Sequence, residues 1–252
     1  IFYIKKLSDD FNLRNLAIGT ALFALILLIR PSNGIVIFLL LFLAGSWTKF
    51  WHLIKRYFSN FKYPAVSTLI FSAIIFLQPL IWYFQTGQFY VYAYEGGSFD
   101  FSNPHMISIL TSYKKGLFIY APLTFISLFG FVPLFRENRF EAVSLFLFLA
   151  LITFILSSWW SWYYGVSYGM RAFVEFMPIF IILLAYLLNG IRSRILKYIV
   201  ILLGVACIML NLTQMYQYKR YIMHRLDMDK EKYWEVFFKT SKKYWGYSYI
   251  EK

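Results

Sequence analysis

Arg171 closes the stretch SWWSWYYGVSYGMR (158–171), in which tryptophans, tyrosines and glycines crowd the rim of an apolar run. Arginine presents a planar, permanently charged fork that matches phosphate oxygens, and sugar rings stack on tryptophan and tyrosine faces. Similar residue types recur elsewhere: Arg30 and Asn33 in LIRPSNGIV (28–36), and Glu95, Asp100, His105, Lys114 and Lys115 in the polar segment 85–116. With Trp160, Trp162, Tyr163 and Tyr168 they suit a ligand with an apolar tail, a phosphate head and a sugar. Two plainer readings compete. Glu175 follows Arg171 at the i,i+4 spacing of a helical salt bridge, and the lysine pair can serve as an interface anchor.

Other chemistries find little material. Cys207 is the single cysteine, which excludes a disulfide framework and a cysteine metal cluster. His52, His105 and His224 are scattered without metal-ligand spacing, so no metal site is predicted from the residues. No phosphate-binding glycine loop, dinucleotide fingerprint or GxSxG elbow is present. A net charge of +13 would point to nucleic acid in a soluble chain. Here 60% of the 252 residues are hydrophobic and only 15% charged, so the basic residues read as membrane-flanking contacts to anionic lipid, with no nucleic-acid partner.

The elements that must position these residues are therefore membrane helices. Apolar runs at 13–29, 34–47, 65–84, 117–135, 142–158, 172–189 and 198–213 predict an all-α, polytopic protein of about seven spans. A continuous helix from 13 to 47 would be ~52 Å long against a hydrocarbon core of ~30 Å, so RPSNG predicts a hairpin with Arg30 at its tip. The loop 48–63 carries Lys49, Lys55, Arg56 and Lys62 and no acid, which places it in the cytoplasm. Alternation then puts Lys5, Lys6, Arg14, Arg136, Arg139, Arg192, Arg194 and Lys197 on that side as well. Arg30, segment 85–116 and SWWSWYYGVSYGMR share the outer face, where the positive-inside rule does not account for their cations.

Within 85–116, NPHMISILTSY predicts a short interfacial helix with Asn103 as N-cap and Pro104 at its first position. The domain division expected is a transmembrane domain over 1–214 and an amphipathic, aromatic-rich basic tail over 215–252. That tail is expected as a helix on the outer surface, associating with lipid or docking a protein partner. The opening IFYIKKLSDD, without an initiator methionine, predicts a piece of a longer protein.

Two segments carry a family resemblance. SYKKGLFIYAPLTFISLFGF (112–131) and WWSWYYGVSYGMRAFVEFMPIF (159–180) resemble the C-terminal half of bacterial GT-C glycosyltransferases of the protein O-mannosyltransferase and aminoarabinose-transferase group. The first keeps Gly116, Leu117, Phe118, Tyr120 and Pro122 of a G-L-F-x-Y-x-P pattern. The second keeps Trp160, Trp162, Tyr163, Gly165, Ser167, Gly169, Arg171 and Pro178, with Tyr164 where glycine is common. LIRPSNGIV is similar to an R-P-[ST]-N turn of the same family. The resemblance implies sugar transfer from a polyprenyl-phosphate carrier to an acceptor on the periplasmic face of the inner membrane, with or without a divalent metal. It also implies a catalytic aspartate in an N-terminal outer loop that this chain lacks. Asp100 and Glu95 are the carboxylates left for that role. A non-enzymatic membrane subunit or scaffold, and a lipid-linked-saccharide transporter, are the alternatives.

Overall fold

A computed structural model describes residues 2–91 and 96–250, and among these every regular element is helical. The chain forms two compact units, Ile1–Gly96 with Asn138–Ile152, and Gly97–Glu137 with Thr153–Lys252.

In the first unit, α1 (Phe2–Asp9) precedes α2 (Leu13–Ile29), which begins where the Asn12 side chain accepts from the Asn15 amide at 2.8 Å. The break expected at RPSNG is present. Arg30 leaves the helix in an extended conformation and Pro31 starts a 3-10 segment, Pro31–Phe38, that leads into α3 (Leu39–Ala44). Gly34 lets this segment lie against Leu27. The loop expected over 48–63 is largely a helix, α4 (Trp47–Phe58), capped by Ser46. It is followed by α5 (Lys62–Ile75) and α6 (Leu77–Thr86). Pro79 has no amide to offer the Ile75 carbonyl, which explains the irregularity between these two. α2 packs along α5, with Phe23 stacked on Phe71 at 6.2 Å.

The second unit holds α7 (Met106–Thr111), α8 (Leu117–Tyr120), α9 (Pro122–Leu128) and α10 (Phe131–Glu137). It also holds the end of α11 (Arg139–Ser157), which begins in the first unit. A 3-10 segment, Arg171–Phe176, then runs into α12 (Met177–Gly190), followed by α13 (Arg194–Lys219), α14 (Lys230–Val236) and α15 (Tyr247–Ile250). The run 117–135, read as one span, is three short helices. Pro122 cannot continue the hydrogen bonding across Ala121. At Gly130 the chain meets α12 so closely that a Cβ would lie 1.9 Å from the Leu183 carbonyl oxygen.

Among the described residues four stretches are long and apolar enough to cross a membrane: Lys62–Thr86, Arg139–Ser157, Arg171–Gly190 and Arg194–Lys219. Leu13–Ile29 and Pro31–Ala44 are apolar but shorter.

The boundary expected at 214/215 falls inside α13. The segment after it folds back as a cap: Ile222, Met223, Met228, Tyr233 and Val236 are buried with Tyr120, and Tyr113, Ile119 and Tyr168 pack against them. Gln214 donates to the Tyr233 hydroxyl at 2.6 Å, and Gln217 donates to the carbonyls of Val236 and Lys239. The helix expected in the tail is short: α14 ends at Val236, where Phe237 leaves the helical region with ψ 124° and Phe238 takes a φ of 56°.

Candidate functional site

The second unit brings most of the candidate residues onto one framework, which starts at the end of α11. A helix leaves its last carbonyls without intrahelical partners. Here the loop 97–105 supplies the missing donors: the Asp100 amide bonds the Ser158 carbonyl at 2.7 Å and the His105 amide bonds that of Ser157 at 3.0 Å. The Trp160 amide returns a bond to Ser98, and Phe99 pairs with Trp159 as an isolated antiparallel bridge, ring edge to ring face at 4.8 Å. Trp160 itself is exposed, with its indole over Gly97. The Trp162 ring lies 5.7 Å from His105 and 5.9 Å from Tyr163.

From there the chain makes a tight reversal. Tyr164 and Gly165 both have positive φ, 55° and 68°, and the Tyr164 hydroxyl is tied to the Leu156 carbonyl. Glycine is the residue best suited to φ 55°, so Tyr164 is held there at a cost. Gly169, at φ 54°, passes the Tyr120 side chain, where a Cβ would come within 3.0 Å. The Tyr168 hydroxyl lies within hydrogen-bonding distance of the carbonyls of Tyr120 and Asn211 and of Gln214 Oε1. Burial pushes the Tyr168 hydroxyl well above the ordinary phenol range, so it stays a proton donor. At the Ala121–Pro122 break, between α9, α12 and α13, lies an apolar cavity of about 290 Å³ bordered by Thr124, Phe180, Cys207 and Asn211.

The cations collect beside this reversal. Lys115 is 2% exposed and its ammonium donates to the Ser167 carbonyl, with the Tyr218 ring at 5.3 Å. Burial first, then the charges of Lys114, Arg225 and Arg171, holds its ammonium down to about 8. Lys114 lies 4.0 Å from the centre of the Tyr163 ring and pairs with Asp227 at 3.5 Å. Arg171 is exposed, and its guanidinium has no ion pair or hydrogen bond among the described residues. The rival salt bridge to Glu175 fails for a geometric reason. Residues 171–176 form a 3-10 helix of ~3 residues per turn, which rotates position i+4 about 120° away from i.

Asp100 is exposed and closes its own turn, accepting from the Ser102 hydroxyl at 2.5 Å and the Ser102 amide at 3.0 Å. Those bonds hold its carboxyl below the usual range, which makes it a weaker base. Glu95 lies outside the described residues. Arg30 and Asn33 belong to the first unit, where the Asn33 amide closes the turn on the Arg30 carbonyl at 2.9 Å. The helix expected from Asn103 and Pro104 starts at Met106, because His105 takes a non-helical conformation, φ −85° and ψ 48°, while its amide bonds the Ser157 carbonyl. Among the described residues no three His, Cys, Asp or Glu side chains gather as a metal site.

Sequence reasoning passed over Arg225 and Asp227. Both sit in the tail, whose return is set by Gln214 and Gln217, two buried amides near the end of a largely apolar helix. That pair, one turn apart, was the available signal. Comparison with known proteins finds no matching family model, no matching curated protein and no matching solved structure.

Proposed function

We propose that this chain is the lipid-phosphate-binding part of a membrane glycosyltransferase that uses a polyprenyl-phosphate-linked sugar. The observation that carries this reading is Lys115: a buried ammonium without a carboxylate partner among the described residues, with Lys114 and Arg171 as charged neighbours. Such an arrangement is unfavourable when empty and favourable around a phosphate. Arg171 is the free guanidinium available to stabilise charge on a departing phosphate. Trp162, Tyr163 and Tyr168 supply flat faces beside it for a sugar, and the apolar cavity at Ala121–Pro122 suits a prenyl chain. The resemblance of two short segments, 112–131 and 159–180, to GT-C enzymes supports sugar transfer as the reaction. The same reading takes about seven spans, with the N-terminus of this chain cytoplasmic and the site on the outer face.

The test is transfer from a polyprenyl-phosphate sugar in proteoliposomes. Arg171→Ala and Lys115→Met should each lower turnover at least tenfold; undiminished turnover in both would sink the assignment. Asp100, turned in upon Ser102, favours a second reading, a non-enzymatic subunit that binds the same lipid head. In that case Arg171→Ala weakens lipid binding and no transfer is detected in the wild type.

A further inference from the structure

The C-terminal cap brings one more cation to the site, and its geometry is that of a ligand-binding group. α13 ends at Lys219, and Tyr221 follows at φ 55°, a left-handed conformation that costs a side-chain-bearing residue energy. The segment further on holds it there: the Ser248 amide and hydroxyl both donate to the Tyr221 carbonyl, and the Gly246 amide donates to that of Arg220. Four residues beyond this strained turn, the Arg225 guanidinium lies 3.5 Å from the centre of the Tyr221 ring and 4.9 Å from that of Tyr218. Its Nε is buried without a hydrogen-bond partner, and Arg225 forms no ion pair among the described residues. Tyr218 is also the ring beside Lys115, so the two cations share one aromatic partner. The same cap supplies Asp227, which pairs with Lys114.

We infer that Arg225 is a phosphate-binding residue of this site, contributed by the C-terminal cap, and that Asp227 neutralises Lys114 so that Lys115, Arg171 and Arg225 together select a phosphoryl group bearing at least two negative charges. This inference rests on the reading of Lys115 and Arg171 given above. The guanidinium is planar by resonance and its stacking on Tyr221 restricts its motion, so less freedom is lost when it binds. Three cations without acidic partners among the described residues match a phosphomonoester dianion or a diphosphate better than a carboxylate.

Binding of inorganic pyrophosphate and of acetate to the protein in neutral-lipid nanodiscs separates the possibilities, with phosphatidate-containing nanodiscs as the lipid arm. Pyrophosphate should bind, and acetate should not. Arg225→Gln should weaken pyrophosphate about tenfold to a hundredfold, the loss expected for a charge-assisted hydrogen bond, and Arg225→Lys should recover part of it. Lys242→Ala, a change at another cation of the cap, should leave binding as it was. If only phosphatidate binds, the same order of variants there assigns the group to a lipid headgroup rather than a free anion. Unchanged binding in Arg225→Gln, with loss in Lys115→Met and Arg171→Gln, overturns the role of Arg225 alone. Equal loss in Arg225→Gln and Lys242→Ala overturns it too, as the cap then acts only through its fold. Binding indifferent to Lys115 and Arg171 as well removes the underlying site.

Discussion

Lys115 ties the physics of the fold to that of the ligand. Its ammonium is held down to about 8 against an ordinary value of 10.5, so between those two pH values the unfolded chain carries a proton that the folded chain has released. Stability contributed by this residue therefore rises with pH through that window, and below pH 8 the full cost of a buried charge is present. Thermal unfolding followed by tryptophan fluorescence should show the wild type gaining between pH 8 and 10 relative to Lys115→Met, in which that gain is lost. A bound phosphate reverses the balance, since it favours the charged form. Anion affinity should fall above pH 8, by at most about tenfold per pH unit for one linked proton, and the fall should vanish in Lys115→Met. A pH-independent affinity in the wild type would separate Lys115 from the ligand.

At the scale of elements, the sequence was informative wherever a breaker residue stood between apolar runs and silent where packing decided. Pro31 and Gly34 announced the hairpin at Arg30. Pro122 and Gly130 are residues of the same kind, yet in a run as apolar as 117–135 they read as tolerable within one span. What makes Gly130 a break is the approach of α12, which no local pattern reveals. Gly130→Ala should destabilise the second unit by about 1–3 kcal/mol through overpacking, measured as a lowered unfolding midpoint in detergent. The i,i+4 pair of Arg171 and Glu175 misled because it presumed 3.6 residues per turn where the chain takes a 3-10 path. The tail misled because its aromatics find partners at Tyr113 and Tyr120, far upstream. Gln217→Leu removes two hydrogen bonds that tie α13 to the cap, one to the Val236 carbonyl and one to the Lys239 carbonyl, at a cost of about 1–3 kcal/mol. Trypsin should then cut at Lys239, Lys242 or Lys243 faster than in the wild type; unchanged cleavage would show that the cap is held otherwise.

At the scale of the molecule, composition alone announced a helical membrane protein, and among the described residues four helices meet the length and apolarity of a span. The candidate residues divide between the two units: Arg30 and Asn33 in one, and Lys114, Lys115, Trp162, Tyr163, Tyr168 and Arg171 in the other, where Arg225 joins them. The aromatic stretch 158–171 was visible as a candidate site from its residue types, while the buried state of Lys115 was not, because a lysine beside a second lysine reads as a solvated pair. The central claim is that this second group holds the phosphate of a polyprenyl lipid. Equilibrium binding of a polyprenyl-phosphate-linked sugar to the protein in nanodiscs, set against the uncharged polyprenol of the same length, tests it most directly. The phosphate lipid should bind at least tenfold more tightly, and Arg171→Gln and Lys115→Met should each erase most of that difference. Equal affinity for the phosphate and the alcohol, or a preference untouched by both substitutions, would contradict it.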